Sequence, residues 1–161
     1  MTKAYFWKTL GKYEKKDEYY KLLDTDELFD GERSDVTLVY SDPSYKTMLS
    51  KDQQFGETVT IKPVTNRNWI RATATFETPS KEWNTWMMTQ FIVQFKNDDE
   101  VIKRRMIRIQ RTLHQNQAKR MYIDILRPED PYDIMEIQFW NANSQNPISI
   151  SHLEIESFDE D

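Results

Sequence analysis

Asn68 to Glu77 reads NWIRATATFE. Ile70, Ala72, Ala74 and Phe76 alternate with Trp69, Arg71, Thr73 and Thr75, a period of two that sets an apolar side against a mixed one and marks a half-buried β-strand. The same alternation returns downstream in WMMTQFIVQF (86–95), RRMIRIQRTL (104–113), RMYIDIL (120–126), DIMEIQFWNA (133–142) and ISISHLEIESF (148–158). Between these runs lie KNDDE (96–100), QNQ (115–117), RPEDP (127–131) and NANSQNP (141–147), all built from turn-formers. Short alternating strands with no helical pattern between them predict an all-β chain: a two-sheet antiparallel β-sandwich, with a jelly roll as its topology.

The alternation also sorts the faces. Ile70, Ala72, Ala74, Phe91, Val93, Phe95, Ile107, Ile109, Met121, Ile123, Ile125, Met135, Ile137 and Phe139 are expected in the core. Arg71, Thr73, Gln90, Gln94, Arg108, Gln110, Tyr122, Asp124, Glu136, Gln138 and Trp140 are then expected to point outward, as a polar face of amides, charges and aromatics.

Upstream the pattern is weaker. Thr58–Val64 (TVTIKPV) reads as a strand whose Pro63, lacking an N–H, suits a sheet edge. Residues 41–55 read as a loop crossing between sheets, Val36–Tyr40 and Tyr19–Leu23 as short strands, and 24–35 as an acidic loop. Residues 1–17 form an arm or linker, which leaves 18–161 as one sandwich domain.

At 161 residues the chain has the length of a single domain with a real core. Its net charge of −5 argues against a general nucleic-acid surface. The absence of cysteine excludes disulfides, thiolate metal sites and thiol nucleophiles, and leaves the compartment open. No run reaches the roughly 18 apolar residues of a membrane helix, so no membrane insertion is expected. His114 and His152 stand far apart with no partner at ligand spacing, which points away from zinc and from a Ser-His-acid triad. His114 reads as a turn residue, and His152 as a bulge where the last strand changes face.

WIRATATF, WMMTQFIVQF, YIDILRP, DIMEIQFWNAN and PISISHLEIESF together resemble the galactose-binding-like jelly rolls of carbohydrate-binding modules, over roughly residues 58–158. The resemblance implies a non-catalytic glycan-binding module, accessory to a larger polypeptide in an extracytoplasmic setting. One departure is visible: Ser151 and His152 stand where the family often has paired aspartates before the final Leu. That weakens the case for the calcium ion such modules hold, and no cofactor is expected. Asp24, Asp26, Asp159 and Asp161 remain as hard oxygen donors, although acidic loops and tails are more often simply solvated.

Sugar recognition needs flat aromatic surfaces for C–H faces and planar polar groups for neighbouring hydroxyls. Trp83 and Trp86, in a polar loop, are the expected platforms, with Trp69, Tyr122 and Trp140 as further aromatics. Gln90, Arg108, Asp124, Glu136 and Gln138 are the expected hydroxyl partners. A solvated outer sheet face would carry such residues without any ligand, and a strand-end Trp commonly caps the core edge. Two alternatives stand beside the glycan reading. One is a structural or protein-interaction sandwich. The other is a glycoside-acting enzyme using Asp124 and Glu136 as acid and base, opposed by arginines in the sheet that would pair with both.

Overall fold

The computed structural model describes residues 36–62, 65–84, 86–110 and 113–159. Eight strands follow in order: β1 (Thr37–Leu49), β2 (Val59–Ile61), β3 (Trp69–Glu77), β4 (Gln90–Asn97), β5 (Glu100–Arg108), β6 (Lys119–Leu126), β7 (Ile134–Trp140) and β8 (Ile148–Phe158). They form two four-stranded sheets, β1-β8-β3-β6 and β2-β7-β4-β5, in which all pairs are antiparallel. First pairs with last, second with seventh, third with sixth, fourth with fifth. That is one long hairpin rolled around a core, the jelly-roll topology expected from sequence.

The hairpin turns at Asp98 and Asp99, whose φ angles of 47° and 67° match a two-residue turn of the twist that suits paired strands. Aspartate is among the few side chains that tolerate this left-handed region. The core is the row of inward residues from both sheets. Phe91 stacks on Phe139 at 5.0 Å between ring centroids, and Phe76 meets both rings at 5.5 and 5.9 Å. All of the expected core residues lie in this cluster except Ile107, which packs against it half-buried. The reason is position: β5 is the edge strand of its sheet, so its inward side lies at the rim of the core. On the same side Lys103 donates from Nζ to the Leu126 carbonyl at 2.6 Å, tying β5 to β6 of the facing sheet.

Three boundaries differ from the sequence reading. The expected crossing loop over 41–55 is largely strand, because β1 runs to Leu49 and absorbs Pro43 in a register shift between Asp42 and Lys46. Asp42 Oδ1 accepts from both the Ser44 amide (3.0 Å) and hydroxyl (2.7 Å), closing that kink locally. β1 is an edge strand, where a missing N–H disrupts no ladder. β4 starts at Gln90 and not at Trp86, and β5 ends at Arg108. Of the Thr58–Val64 strand, Val59–Ile61 is observed, at the other sheet edge; Pro63 and the Tyr19–Leu23 strand lie outside the described residues.

The histidine expectations hold. His152 has φ 54° at the point where the β3–β8 register shifts between Thr73 and Thr75. The His114 carbonyl accepts the Gln117 amide across a turn.

Candidate functional site

A sandwich has two outer faces, and sequence alternation cannot say which strand lies on which. The topology divides the expected site residues unevenly. Asp124, on β6, faces outward from the β1-β8-β3-β6 sheet, whereas Gln90, Arg108, Glu136 and Gln138 face outward from the β2-β7-β4-β5 sheet.

Asp124 is 0% exposed. Its two oxygens accept from Arg71 Nε (2.8 Å) and Nη2 (3.0 Å), and the guanidinium lies 3.9 Å above the Tyr122 ring and 5.4 Å from that of Phe158. Burial alone would lower the Arg71 pKa, yet the hydrogen bonds and charge of Asp124 hold it above the ordinary arginine value. A carboxylate with both oxygens engaged and no solvent access cannot receive sugar hydroxyls, so Asp124 is removed from the site. The enzyme pairing falls with it. Asp124 and Glu136 stand on opposite sides of a double layer whose sheets alone are about 10 Å apart, outside the roughly 5–9.5 Å required for glycoside chemistry.

The other outer face is organised in cross-strand rows. Nearest the loop end, Arg108, Gln90 and Trp140 align across β5, β4 and β7, and an isolated bridge adds Phe55 beside Trp140. The Phe55 and Trp140 rings stack at 6.2 Å and 8°, and Phe55 is 61% exposed. Met106, Ile92 and Gln138 form the next row, and Arg104, Gln94, Glu136 and Thr60 the one after. Glu136 anchors that last row. It accepts from Gln94 Nε2 (2.6 Å), Gln138 Nε2 (3.2 Å) and Lys96 Nζ (3.2 Å), while Gln94 Oε1 accepts from Arg104 Nε (2.9 Å). Gln90 Oε1 is buried without a hydrogen-bond partner.

Trp83 and Trp86 sit in the β3–β4 loop, at the end of the sandwich where the Gln90 row begins. Trp86 is 82% exposed and Trp83 40%. Asn84 shapes this loop, its side-chain oxygen accepting the Trp86 amide at 2.9 Å. Trp83, Asn84 and Met87 face Ser144, Gln145 and Asn146 of the β7–β8 loop across a cleft of about 340 Å³.

Below these loops runs a buried polar chain that the sequence pattern does not announce. Gln110 accepts from the Thr89 amide (2.5 Å) and donates to the Thr89 hydroxyl (2.7 Å), which donates to Asn141 Oδ1 (3.1 Å). Asn141 Nδ2 then donates to the Ser50 (2.7 Å) and Ser144 (2.8 Å) carbonyls. Four separate loops are thereby fixed to one another. Gln110, expected on the outward polar face, is instead buried at 1% exposure just past the end of β5, whereas Thr89 and Asn141 look like ordinary strand-end residues in sequence; only the topology brings the three together. Phe55 escapes the sequence reading for a related reason, since an isolated bridge has no alternation to read. Of the possible calcium donors, Asp24, Asp26 and Asp161 lie outside the described residues, and Asp159 Oδ1 accepts the Asn68 amide at 3.0 Å.

No protein-family model matches the sequence, and no curated protein matches it. Solved structures do. "Family 16 Carbohydrate Binding Module-2" is 14% identical, with 67% of this chain and 73% of that one covered and a TM-score of 0.45. A carbohydrate-binding module described as CBM4 is 7% identical over 76% of this chain and 77% of its own, also at 0.45. The enzymatically active domain of bacteriophage CBA120 tailspike protein 4 is 14% identical over 76% of this chain at a TM-score of 0.50, and the chain spans 19% of its length. At these identities the likeness is one of fold alone.

Proposed function

We propose that the protein binds a glycan without cleaving it, on the outer face of the β2-β7-β4-β5 sheet and the adjoining loop rim. The observation that carries this reading is the gradient along that face. A hydrogen-bonded ladder centred on Glu136 leads through Gln138 to the Gln90–Arg108 row and ends at the exposed Phe55–Trp140 stack. A carboxylate held by three donors is fixed in orientation before a ligand arrives, which reduces the ordering cost of binding. Aromatic faces at the rim supply the apolar half of sugar recognition. Trp83 and Trp86 extend that rim, Gln90, Arg108 and Gln138 supply hydroxyl contacts, and Glu136, itself buried with both oxygens engaged, holds Gln138 in place. Open sites of this kind bury little area, so Kd values from about micromolar to millimolar are expected.

The test is a glycan array followed by calorimetry on each hit, with Trp83→Ala, Trp140→Ala, Gln138→Ala and Glu136→Ala. Loss of binding in these variants, with binding retained in Thr37→Ala on the other sheet, is the expected result. An empty array, or a hit indifferent to all four substitutions, overturns the reading. Hydrolysis abolished by Glu136→Gln would establish an enzyme instead. A protein-interaction role is the second reading, favoured by Trp86 and Met87 exposed together at the β3–β4 loop tip. A protein partner lost in Trp86→Ala, with no glycan bound, would support it.

A further inference from the structure

Charge is unevenly spread over this chain. Its net charge is −5, whereas the outward residues of β2, β7, β4 and β5 carry Lys96, Arg104 and Arg108 against a single carboxylate, Glu136. Lys96 Nζ lies 3.2 Å from Glu136 Oε1 and balances it, so the two arginines set the sign of the face. Both are exposed on β5, four residues and about 13 Å apart along the strand. An edge strand commonly carries charges that discourage pairing with other chains, and Lys103 and Arg105, turned inward at the rim of the core, suit that purpose. Arg104 is turned the other way, onto the face.

Arg104 is also held in place. Gln94 lies directly opposite it on β4; Gln94 Oε1 accepts from Arg104 Nε at 2.9 Å, and Gln94 Nε2 donates to Glu136 Oε2 at 2.6 Å. Only one orientation of the amide serves both neighbours, since a carboxylate can only accept and a guanidinium can only donate. Glu136 therefore fixes Gln94, and Gln94 fixes the Nε side of Arg104. The Nη1–Nη2 edge is left over: among the described residues Arg104 makes no ion pair, and its Nη groups make no hydrogen bond.

We infer, resting on the glycan reading above, that the ligand is an acidic glycan whose carboxylate or sulfate group is gripped by the Nη1–Nη2 fork of Arg104. A neutral hydroxyl needs no more than an amide such as Gln90 or Gln138. A planar cationic fork instead matches two oxygens of an anion through paired, charge-assisted hydrogen bonds. Holding Arg104 beforehand through Gln94 removes part of the ordering cost of that pairing. Arg108, at the aromatic end of the same strand, adds a second positive charge for further acidic units of a polymer. Met106, 46% exposed between the two arginines, offers an apolar contact to sugar C–H groups.

The test titrates the full-length chain by calorimetry with two matched pairs of polymers: a polyuronate and its carboxyl-reduced neutral form, and dextran sulfate and dextran. Any acidic hit from a glycan array is treated in the same way. At least one acidic ligand is expected to bind, with its neutral counterpart weaker by about tenfold or more, and the pair that responds tells carboxylate from sulfate. Arg104→Gln is expected to weaken the acidic ligand about tenfold or more, as befits the loss of charge-assisted hydrogen bonds. Arg104→Lys, which keeps the charge without the fork, is expected to restore only part of that loss. Affinity is also expected to fall as salt is raised through about 0.15 M. Because Arg104 is exposed, both variants are expected to keep the wild-type urea midpoint, so a lost ligand is not a lost fold. Equal binding of acidic and neutral counterparts, acidic binding indifferent to Arg104→Gln, or hits confined to neutral glycans would each overturn the inference and leave glycan recognition standing. Failure of every polymer together with an empty array would overturn both.

Discussion

At the scale of single residues, burial decides which expectations survive. Asp124 and Glu136 look equivalent in sequence, each an acid at an outward position of an alternating strand. Asp124 is fully buried in a two-pronged pair with Arg71 on one outer face, Glu136 is nearly as buried at the centre of a polar ladder on the other, and nothing local distinguishes them. Glu156, half-buried on the same outer face as Arg71, shows how partial burial and neighbouring charges compete. Burial raises its pKa, the charge of Arg71 lowers it, Glu154 raises it again, and the net direction is upward. The folded state therefore holds a proton there that the unfolded state releases first, at the usual glutamate pKa of about 4.3. Stability contributed by the protonated form is present below that pH and is lost as pH rises through the higher folded-state pKa. Glu156→Gln is expected to raise stability at neutral pH and to flatten this part of the curve. Urea titrations at closely spaced pH values would show it, and a variant less stable than wild type at neutral pH would count against the assignment.

At the scale of elements, strands with one side in the core are legible because their chemistry repeats every two residues. β3, β6, β7 and β8 can be read nearly to their observed ends. β1 cannot, because an edge strand tolerates the proline and the turn-forming Asp-Pro-Ser that a central strand excludes. The inward Lys103 and Arg105 hide β5's position in the same way: charges pointing inward suit a sheet rim, but sequence alone does not announce a rim. The β4–β5 hairpin offers a clean test of turn chemistry. Asp99 has φ 67° and follows Asp98, whose amide donates to Asp133 Oδ2 at 3.3 Å. A left-handed L-residue costs roughly 1–2 kcal/mol, a strain that glycine relieves while losing more unfolded-state freedom, so only part of it is recovered. Asp99→Gly is expected to stabilise the protein by about 0.5 kcal/mol, read as a higher urea midpoint at unchanged slope. A lower midpoint would mean that the Asp99 side chain contributes more than its backbone costs.

At the scale of the whole molecule, the fold class is legible and the allocation of strands to faces is not, since which outward residues share a face depends on pairings between distant segments. The candidate site inherits this: Gln90, Arg108, Glu136 and Gln138 are gathered on one face, Asp124 is not, and Phe55 joins them from a bridge far upstream. The pairing of first strand with last has one more consequence, mechanical in kind. Thr37 is the partner of Ser157, and Leu49 of Ile148, so the chain enters and leaves the described fold at the same end of one ladder. Tension applied through both ends of the chain would open the β1–β8 ladder like a zipper, loading its hydrogen bonds one after another. Tension between Thr37 and Ser149 would instead shear the same bonds together. Single-molecule pulling through cysteine handles should record a rupture force several times lower for a Thr37–Asp159 pair than for Thr37–Ser149, since bonds of about 1 kcal/mol each yield easily in sequence and resist only as a group. Under load the β1–β8 seam would part first, peeling an edge from one sheet while β2, β7, β4 and β5 remained paired.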